Sequence, residues 1–545
     1  MISRRGLWVL LAVFAAGWFC NLGYRHLVNP DEGRYAEIAR EMVASGDWLT
    51  PRLNGFKYFE KPALQYWATA AAFTAFGENE WSARLWPGLT GFLGVLLVFY
   101  AGNRLFGPPA GVYAAAVAAS SALYAFIGHV LTLDMAVTFF LSASVFGIAL
   151  AQRDGAEAGA RRRWMLAAWA AAALAVLTKG LIGIVLPVGA VGLYILVERD
   201  WKRLARLHIV SGGLLFLLIA APWFIAVSRA NPEFFHFFFI QEHFERFLTK
   251  EHGRYQPMWY FVPVLLAGML PWTVSLVPAL WRSWARSPGE KFQPQRFLLL
   301  WAVVVFAFFS VSDSKLASYI LPIFPALALL IGRYLAHAGK GVALGQAILA
   351  AAVGLGTALA APQAMRLAEP VLPAELLAGY VPWLVAAGTA LLAGAAIAVW
   401  LGARGRPAAS ALSLAFGALV SVQFGLSGHE QLSPAYSAYH SVRKIRDQLK
   451  PDAPFYVVNT FDHTLPFYLG RTVTMVSYKD ELAKAIGWEP QKFLPDTAAF
   501  ARAWEADREA FAMFDPNDLA VFLKAHPVPM QVIARDPRRV IVKKP

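Results

Sequence analysis

Apolar residues run along this chain in thirteen segments, which are separated by short polar connections or by longer loops. Most segments approach the roughly 20 residues that a helix needs to cross a bilayer, and those at 164–178 and 297–311 are shorter. The pattern therefore predicts a polytopic, mainly helical membrane protein with about thirteen transmembrane helices. The segments lie near 7–25, 88–105, 110–128, 132–151, 164–178, 181–197, 209–227, 258–280, 297–311, 316–333, 341–361, 380–402 and 409–427.

Basic residues mark alternate connections between these segments. Arg4 and Arg5 precede the first segment and residues 161–163 are all arginine, whereas the intervening short loops hold single exceptions such as Lys179 and Lys315. Because cytoplasmic loops carry an excess of Lys and Arg, we expect a cytoplasmic N-terminus. An odd number of spans then places the C-terminus outside.

The first segment has a second interpretation. Two arginines, a short apolar core and Ala15-Ala16 are compatible with a cleaved signal peptide. An uncleaved first helix is favoured, because the apolar run reaches almost to the next charged stretch and twelve more spans follow.

Three stretches are expected on the outer side: the loops at about 26–87 and 229–257, and the tail from about 428. In the tail, short β-rich runs alternate with helical patterns, which is typical of a small α/β domain. We therefore predict a membrane domain over 1–427 and an α/β domain over 428–545. The β-rich runs are 455–458, 472–476, 530–533 and 540–542, and the helical patterns include 433–450 and 515–525.

Composition supports membrane residence. Of the 545 residues 58% are hydrophobic and 15% are charged, against about 25% charged in soluble domains; the mean hydropathy is +0.47. The net charge of +14 lies largely in short loops, so nucleic acid is not expected as a partner. The single cysteine, Cys20, excludes an intramolecular disulfide framework.

A charged helix is predicted in NPDEGRYAEIAREM, which begins at Asn29 directly after the first segment. Asn29 and Glu32 have the spacing of a capping box, Gly46 ends the helix, and its apolar side is expected to face the membrane. Asp31 is not needed for the cap and lies one turn from Arg34, with which it could pair. An acidic group at the outer mouth of a helix bundle is a candidate base or sugar ligand.

A second helix is predicted from Pro62 to near Gly77 in the same loop. Lys61 stands at its start, where free backbone N–H groups and an ammonium group together suit an anion such as phosphate. The alternative is a lysine that only reaches toward lipid headgroups. The neighbouring Tyr58 and Glu60 favour the phosphate site.

Further charged or polar positions fall near the predicted outer face. Asp134 lies inside an apolar segment, where a carboxylate is usually functional or paired with a cation. Lys315 and Tyr319 are one turn apart and could reach the same phosphate. Arg246, in the second loop, is another phosphate candidate or an ion-pair partner of Glu242.

Motifs for a metal or a nucleotide are absent from the sequence. No His-x-x-x-His pair, Walker A sequence or glycine-rich dinucleotide fingerprint occurs. A cytoplasmic nucleotide is therefore not expected as the energy source. A divalent metal held by separate loops, with Glu60 among its ligands, stays open, although the spacing does not support it.

Several of these motifs together resemble the polyprenyl-phosphate-dependent glycosyltransferases of the GT-C fold. Within that fold the chain is most similar to the bacterial family that transfers aminoarabinose to lipid A, a relative of the protein O-mannosyltransferases. The resemblance covers the whole membrane region with its two outer loops, and a periplasmic α/β domain fits it as well. The matching residues are NPDEGRY at 29–35, YFEKP at 58–62, LD at 133–134, RF at 246–247 and KLASYILP at 315–322.

The resemblance implies an inverting transfer of a sugar, 4-amino-4-deoxy-L-arabinose in the closest case, from undecaprenyl phosphate to a lipid A phosphate. Such a pentosyltransferase would be a monomer that acts at the periplasmic face of the inner membrane and confers resistance to cationic peptides such as polymyxin. It would have Asp31 as the principal acid, with Asp134 and Glu60 as further catalytic acids. The residues implied at the carrier phosphate are Lys61, Arg246, Tyr319, Tyr58, Arg34 and Lys315.

The proposed chemistry leaves two roles open for Asp31. A phosphate leaving group needs charge neutralisation more than a proton, and clustered Lys and Arg supply that. If the acceptor is an ionised phosphate, Asp31 would orient the donor sugar. If the acceptor is a hydroxyl, Asp31 would act as a base, which is worth about 10²–10⁴-fold in rate.

Three other functions compete with this one. A glycosyltransferase of the same fold could move another polyprenyl-linked sugar to the lipopolysaccharide core or to protein. A transporter of lipid-linked sugars would place polar residues near the bilayer midplane, whereas here they cluster at one face. A non-enzymatic scaffold would leave the outward Lys, Arg and Asp residues unexplained.

Overall fold

The computed structural model describes residues 4–245 and 255–545, and the protein is mainly helical. A helix occurs within each of the thirteen predicted apolar segments. The α-helices up to residue 428 are Arg4–Phe19, Asp31–Ser45, Leu64–Phe76, Glu80–Phe106, Pro108–Ser120, Ala122–Ile127, Asp134–Gln152, Ala158–Lys179, Ile182–Glu198, Ile209–Ala230, Pro232–Phe235, Phe261–Gly268, Thr273–Ser283, Pro294–Val311, Phe324–Leu335, Lys340–Ala360, Ala374–Ala403 and Pro407–Gly428.

Eight helices in the described ranges are long and apolar enough to cross a membrane. A ninth span is formed if Met258–Gly268 and Thr273–Ser283, which meet at 114°, are counted together. The break between them contains Pro271, which cannot donate a helical hydrogen bond. The chain is thus a multi-span membrane protein, and the count of thirteen stays a prediction.

Glycines bring the last two long helices into direct backbone contact. Gly394 of Ala374–Ala403 faces Gly417 of Pro407–Gly428, and a Cβ added to either glycine would lie 2.7 Å from the Cα of the other. In lipid, apolar side chains gain little by leaving the solvent, so close packing of small residues holds helices together.

An α/β domain follows helix Pro407–Gly428. The strands of the described residues are β1 Arg52–Leu53, β2 Phe56–Lys57, β3 Phe455–Val458, β4 Thr474–Val476, β5 Phe493–Leu494, β6 Phe511–Phe514, β7 Gln531–Arg535 and β8 Val540–Lys543. Strands β1 and β2 form a separate hairpin in the first loop. The sheet of the α/β domain has the order β5-β4-β3-β6-β8-β7. In it, β3 pairs in parallel with β4 and β6, β4 in parallel with β5, and β8 antiparallel with β6 and β7.

Helices cover the sheet as the alternating pattern predicted. The four predicted β-rich runs overlap β3, β4, β7 and β8, although β7 and β8 end after the predicted runs, whereas β5 and β6 were not predicted. Strand β6 has the sequence Phe-Ala-Met-Phe, so it lacks the β-branched residues that mark β3 as a strand. The α-helices of this part are Ser433–Tyr436, Tyr439–Ile445, Thr464–Leu469, Ala483–Trp488, Thr497–Ala506 and Asp518–Ala525.

The helix predicted after the first segment spans Asp31–Ser45, and Gly46 ends it with a φ of 71°. The predicted capping box is wrong, because no side chain caps this helix. The Asn29 side chain instead accepts a hydrogen bond of 2.9 Å from the backbone N–H of His463 in the α/β domain. Residues 32–42 of the helix are buried, because the α/β domain covers the side of the helix that lies opposite its apolar side.

Glu32 is buried at the centre of this junction. Its carboxylate accepts hydrogen bonds from Arg84 Nε at 2.7 Å and from the backbone N–H groups of Leu131 at 2.9 Å and Val28 at 3.1 Å. Burial alone would raise the pKa of Glu32, but the guanidinium of Arg84 outweighs it and holds the pKa at about 2. The carboxylate therefore stays ionised and ties the first loop to the membrane helices.

We predict that Glu32→Gln lowers the thermal unfolding midpoint of the detergent-solubilised protein by several degrees. Removing one partner of a buried pair costs about 3–5 kcal/mol, because Arg84 would lose its counter-charge. The folded-state pKa lies below the ordinary value of 4.5, so this contribution is present above pH 4.5 and declines as the pH falls toward 2. The wild-type protein should lose stability in that window more steeply than the variant.

Glu78→Gln is the matched control, since Glu78 lies exposed in the same loop and should leave the unfolding midpoint unchanged. Equal midpoints for the wild-type protein and Glu32→Gln would show that the pair is not structural.

Candidate active site

A cavity of about 750 Å³ lies between the membrane helices and the α/β domain. Four separated parts of the chain line it: the first loop, the outer ends of membrane helices, the second loop and the α/β domain. Most of the residues predicted for the site share it. The lining residues are Pro30, Asp31, Arg34, Tyr35, Glu60, Lys61, Thr132, Leu133, Asp134, Lys179, Phe237, Gln241, Leu316, Tyr319, His463, Asp480, Glu481, Ala483 and Lys484.

Arg34 is the centre of an ion-pair network on one wall of the cavity. It lies 3.0 Å from Asp31 Oδ1, as its helical spacing predicted, and 2.7 Å from Glu481 Oε2. Glu481 Oε1 in turn lies 2.6 Å from His463 Nε2. Burial lowers the pKa of Arg34, but the negative charges around it, which include the carboxylates of Glu481 and Asp31, outweigh burial and raise it well above the usual range. Arg34 is therefore a permanent cation that connects the loop to the α/β domain.

Asp134 and Lys179 form a second ion pair across two helix ends. Both side chains are largely buried, with 13% and 14% of their surface exposed. The Lys179 ammonium also lies 4.9 Å from the centroid of the Tyr319 ring, an arrangement that favours a cation. Lys179 was missed as a site residue, although a single lysine at an outer helix end, against the positive-inside trend, was the signal that marked it.

Lys61 and Glu60 line the cavity next to each other. The Lys61 ammonium donates a 2.7 Å hydrogen bond to the carbonyl of Glu60 and lies 4.0 Å from its carboxylate. The following helix is Leu64–Phe76, so the predicted start at Pro62 is two residues early, and the predicted end near Gly77 is correct. Lys61 thus precedes the first turn of the helix and still faces the cavity.

Tyr58 lies behind the lining residues and is buried. Its hydroxyl has no hydrogen-bond partner among the described residues, and burial raises its pKa well above the usual range. The hydroxyl therefore stays protonated and can donate a hydrogen bond.

The predicted site residue Lys315 is not among the lining residues of this cavity. The Lys315 ammonium is buried and donates to the carbonyls of Gln256, at 2.8 Å, and Ser312. Backbone carbonyls supply its acceptors in this structure, and its role at the carrier phosphate stays a prediction. Arg246 lies outside the described residues.

The first loop docks the α/β domain through two residues of the NPDEGRY motif. Asn29 binds the backbone of His463, and a Cβ added at Gly33 would lie 2.6 Å from the carbonyl carbon of His463 and from the nitrogen of Thr464. Only glycine permits this approach without a backbone shift. The motif therefore uses successive faces of one helix: Glu32 holds the membrane helices, Asn29 and Gly33 hold the α/β domain, and Asp31 faces the cavity.

Four polar lining residues from the α/β domain were not predicted: His463, Asp480, Glu481 and Lys484. The only sequence signal was the charged run at 479–481, which resembles an ordinary solvated turn. Their position in the cavity depends on the docking of the domain, which no local pattern reveals.

Two known families match parts of the chain. The family described as Dolichyl-phosphate-mannose-protein mannosyltransferase matches residues 4–238, which include the first loop. The family described as Aminoarabinose transferase C-terminal domain matches residues 441–544, which include the six-stranded sheet.

Similar proteins cover different shares of the chain. The undecaprenyl phosphate-alpha-4-amino-4-deoxy-L-arabinose arabinosyl transferase of Pectobacterium carotovorum subsp. carotovorum is 33% identical over 405 residues, 70% of this chain and 71% of that protein. The protein of the same name from Edwardsiella ictaluri is 36% identical over 334 residues, 60% of this chain. The chain spans 59% of the length of that relative.

Two solved structures share the fold. ArnT from Cupriavidus metallidurans bound to undecaprenyl phosphate has a TM-score of 0.94 at 39% identity, covering 99% of this chain and 98% of that chain. The Archaeoglobus fulgidus oligosaccharyltransferase in the apo form has a TM-score of 0.52 at 13% identity, covering 94% and 70%. The second likeness concerns the fold alone.

These similarities first define the class, a multi-span membrane protein with the GT-C fold and a C-terminal sheet domain. The chain belongs to the family of undecaprenyl phosphate-alpha-4-amino-4-deoxy-L-arabinose arabinosyl transferases.

We predict that Gly33→Ala loosens the α/β domain on the membrane helices. The added methyl group would overlap the backbone at His463, so amide hydrogen exchange of the segment around His463 should become faster while the core strand β3 keeps its protection. Gly487→Ala is the matched control, since a Cβ there meets open space. Unchanged exchange in Gly33→Ala would contradict the docking role.

Proposed function

We propose that the protein transfers 4-amino-4-deoxy-L-arabinose from undecaprenyl phosphate to a phosphate of lipid A at the periplasmic face of the bacterial inner membrane. The observation that carries this proposal is the shared cavity, which combines Asp31, Lys61, Asp134 and Tyr319 from separate external segments. A relative of 39% identity that is bound to undecaprenyl phosphate supports the lipid carrier. The product is a more cationic lipid A, consistent with resistance to polymyxin and similar peptides.

The proposed topology has thirteen spans, a cytoplasmic N-terminus and a periplasmic α/β domain. A helix within every predicted apolar segment supports the count, and the basic residues of alternate loops support the orientation. We propose domain limits of 1–427 and 428–545, since the last long helix ends at Gly428. The cavity is enclosed within one chain, in keeping with a monomer.

The charge of the cavity suits this particular donor. An aminoarabinosyl phosphodiester carries a negative phosphate and a positive amino group, so its site needs charges of both signs. A neutral sugar would offer the carboxylates no cation beyond the side chains that already pair with them, which favours an amino sugar over a neutral one. The cavity is lined by the cations Arg34, Lys61, Lys179 and Lys484 and by the acids Asp31, Glu60, Asp134, Asp480 and Glu481.

The reaction is proposed as a single displacement at the anomeric carbon. An ionised oxygen of the lipid A phosphate forms the new bond to this carbon, and the bond to the carrier breaks with its electron pair leaving on undecaprenyl phosphate. One displacement inverts the configuration. The cations Lys61 and Arg246, with the hydroxyls of Tyr58 and Tyr319, would neutralise the charge on the departing phosphate, because fixed donors are most effective where negative charge develops.

Asp31 is proposed to orient the donor sugar. An ionised phosphate acceptor has no proton to remove, and Asp31 is already held 3.0 Å from the Arg34 guanidinium. Asp134 would hold Lys179 toward the cavity in the same way, and Glu60 would be a further carboxylate for the amino group. The proposed reaction assigns the neutralisation of the departing phosphate to side-chain cations.

Another enzyme of the same fold, moving a different polyprenyl-linked sugar to the lipopolysaccharide core or to protein, is the alternative. The shape of the cavity would accommodate the donor of such an enzyme equally well. The mixed charges of the lining would suit a neutral donor sugar less well than an amino sugar. A lipid-linked sugar transporter is less well supported, because the charged residues lie at the outer ends of the helices and not along a path between them.

We predict that cells carrying the gene add one aminopentose to lipid A. Lys61→Ala should abolish at least 99% of this transfer, because the loss of one hydrogen-bond donor to a developing oxyanion lowers kcat by about 10²–10³-fold. Mass spectrometry of lipid A from a deletion strain with each variant measures the increment. Lys57→Ala is the matched control, because Lys57 lies in the same loop, pairs with Glu233 at 2.5 Å and is outside the cavity lining.

A different mass increment, or a modified protein and unmodified lipid A, would establish the alternative enzyme. Undiminished transfer by Lys61→Ala would refute the assignment of the carrier phosphate site.

We also predict that Asp31→Asn lowers kcat by less than about 10²-fold and raises the KM for the donor, because asparagine retains the shape but loses the charge that binds the amino group. Steady-state rates with purified protein and synthetic donor measure both parameters. A fall in kcat of about 10²–10⁴-fold with a changed pH profile would identify Asp31 as a base instead. The exposed Asp452→Asn is the control.

A further inference from the structure

A second cluster of chemically competent side chains lies outside the cavity. His26 follows the first membrane helix, Glu430 follows the last one, and His440 belongs to helix Tyr439–Ile445 of the α/β domain. One nitrogen of each histidine and one oxygen of the carboxylate all lie within 4.8 Å of one another. None of the three lines the cavity, and the proposed reaction uses none of them.

The geometry of this cluster is centred on one carboxylate oxygen. Glu430 Oε1 lies 2.6 Å from His26 Nδ1 and 3.8 Å from His440 Nε2. The Ser433 hydroxyl lies between the same groups, at 3.0 Å from Glu430 Oε1 and 2.6 Å from His440 Nε2. Three potential ligand atoms from three parts of the chain therefore converge on one point.

We propose that His26, Glu430 and His440 form a Zn²⁺ site. Two imidazole nitrogens and one carboxylate oxygen are a ligand set that zinc uses, with bonds of about 2.0–2.2 Å and a fourth position for water. Tetrahedral bonds of that length place ligand atoms about 3.3 Å apart. The present separations differ from that value by roughly 0.5–1.5 Å, which rotation of side chains supplies.

The surroundings of the cluster orient two of the three ligands. The backbone N–H of His26 donates a 2.8 Å hydrogen bond to the other carboxylate oxygen of Glu430, and this contact can persist when Oε1 binds a metal. The His26 ring stacks on the Tyr439 ring, with 3.5 Å between centroids. Such supporting contacts are what orient metal ligands and raise affinity.

The side chains are also accessible to an ion from water. The exposed fractions are 20% for His26, 16% for Glu430 and 36% for His440. A closed polar core would exclude the ion, and a fully solvated surface would leave the ligands disordered. These intermediate values suit a site that loads after folding.

A metal at this point would tie the two ends of the membrane domain to the α/β domain. His26 lies only three residues before Asn29, which docks the same domain. Bound Zn²⁺ would thus stabilise the arrangement that holds His463 and Glu481 at the cavity, without taking part in the reaction. The inference does not depend on which sugar the protein transfers.

The experiment measures zinc in the purified full-length protein. The protein is stripped with a chelator, reloaded with Zn²⁺, passed through a desalting column and analysed by elemental mass spectrometry. We expect His440→Gln and His26→Gln to hold one zinc per chain fewer than the wild-type protein. His526→Gln, directly after helix Asp518–Ala525 and not a member of the cluster, is the matched control and should keep the wild-type zinc content.

Two further measurements make the outcome decisive. Zn²⁺ should raise the unfolding midpoint of the wild-type protein by a few degrees and leave His440→Gln unaffected, because only the folded state holds the site. Co²⁺ should give the visible absorption of a tetrahedral complex in the wild-type protein and not in His440→Gln. Glu60→Gln, which alters the cavity, should retain both responses, so a metal bound in the cavity is distinguished from this one.

Equal zinc content in the wild-type protein and both histidine variants would overturn the proposal, as would a wild-type protein that retains no zinc after desalting. In either case the three side chains form only a hydrogen-bonded ion pair. Because His440 is the most exposed of the three, its variant should fold even if Glu430→Gln does not.

Discussion

The arrangement of this protein depends on one buried carboxylate. Glu32 joins three parts of the chain that are distant in sequence, since it accepts hydrogen bonds from Arg84, from the backbone beside Leu131 and from Val28. Taking such a charge out of water is unfavourable unless every partner is present. The position of the first loop on the membrane helices is therefore determined within narrow limits, and the positions of Asp31 and Arg34 follow from it.

The same short helix carries three different interfaces because consecutive residues on a helix point about 100° apart. Glu32 is directed to the membrane helices, Gly33 to the α/β domain and Asp31 to the cavity. This explains why a charged and glycine-containing motif directly follows an apolar segment. The α/β domain is part of the site as well as a cover, since it contributes Glu481 to Arg34.

The charged side chains of the cavity form ion pairs with one another before any ligand is bound. Arg34 is held by Asp31 and Glu481, and Lys179 by Asp134. Paired charges are kept ionised in a partly buried site, and they need little rearrangement when a ligand with both signs of charge replaces one partner. A cavity of unpaired cations would bind phosphate more strongly but would not discriminate an amino sugar from a neutral one.

The sequence by itself determined the membrane class, the positions of the helices and the α/β character of the tail. Hydropathy, and charged residues at unusual positions near apolar segments, are local signals that a sequence shows directly. They also identified six side chains that line the cavity: Asp31, Arg34, Glu60, Lys61, Asp134 and Tyr319. Tertiary structure alone decided that Asn29 docks a domain, that Lys179 lines the cavity whereas Lys315 does not, and that residues near His463 complete the lining. These features depend on contacts between residues that are 45 to 434 positions apart. Periodicity and spacing report only on near neighbours, so they carry no information about which distant segment a side chain will meet.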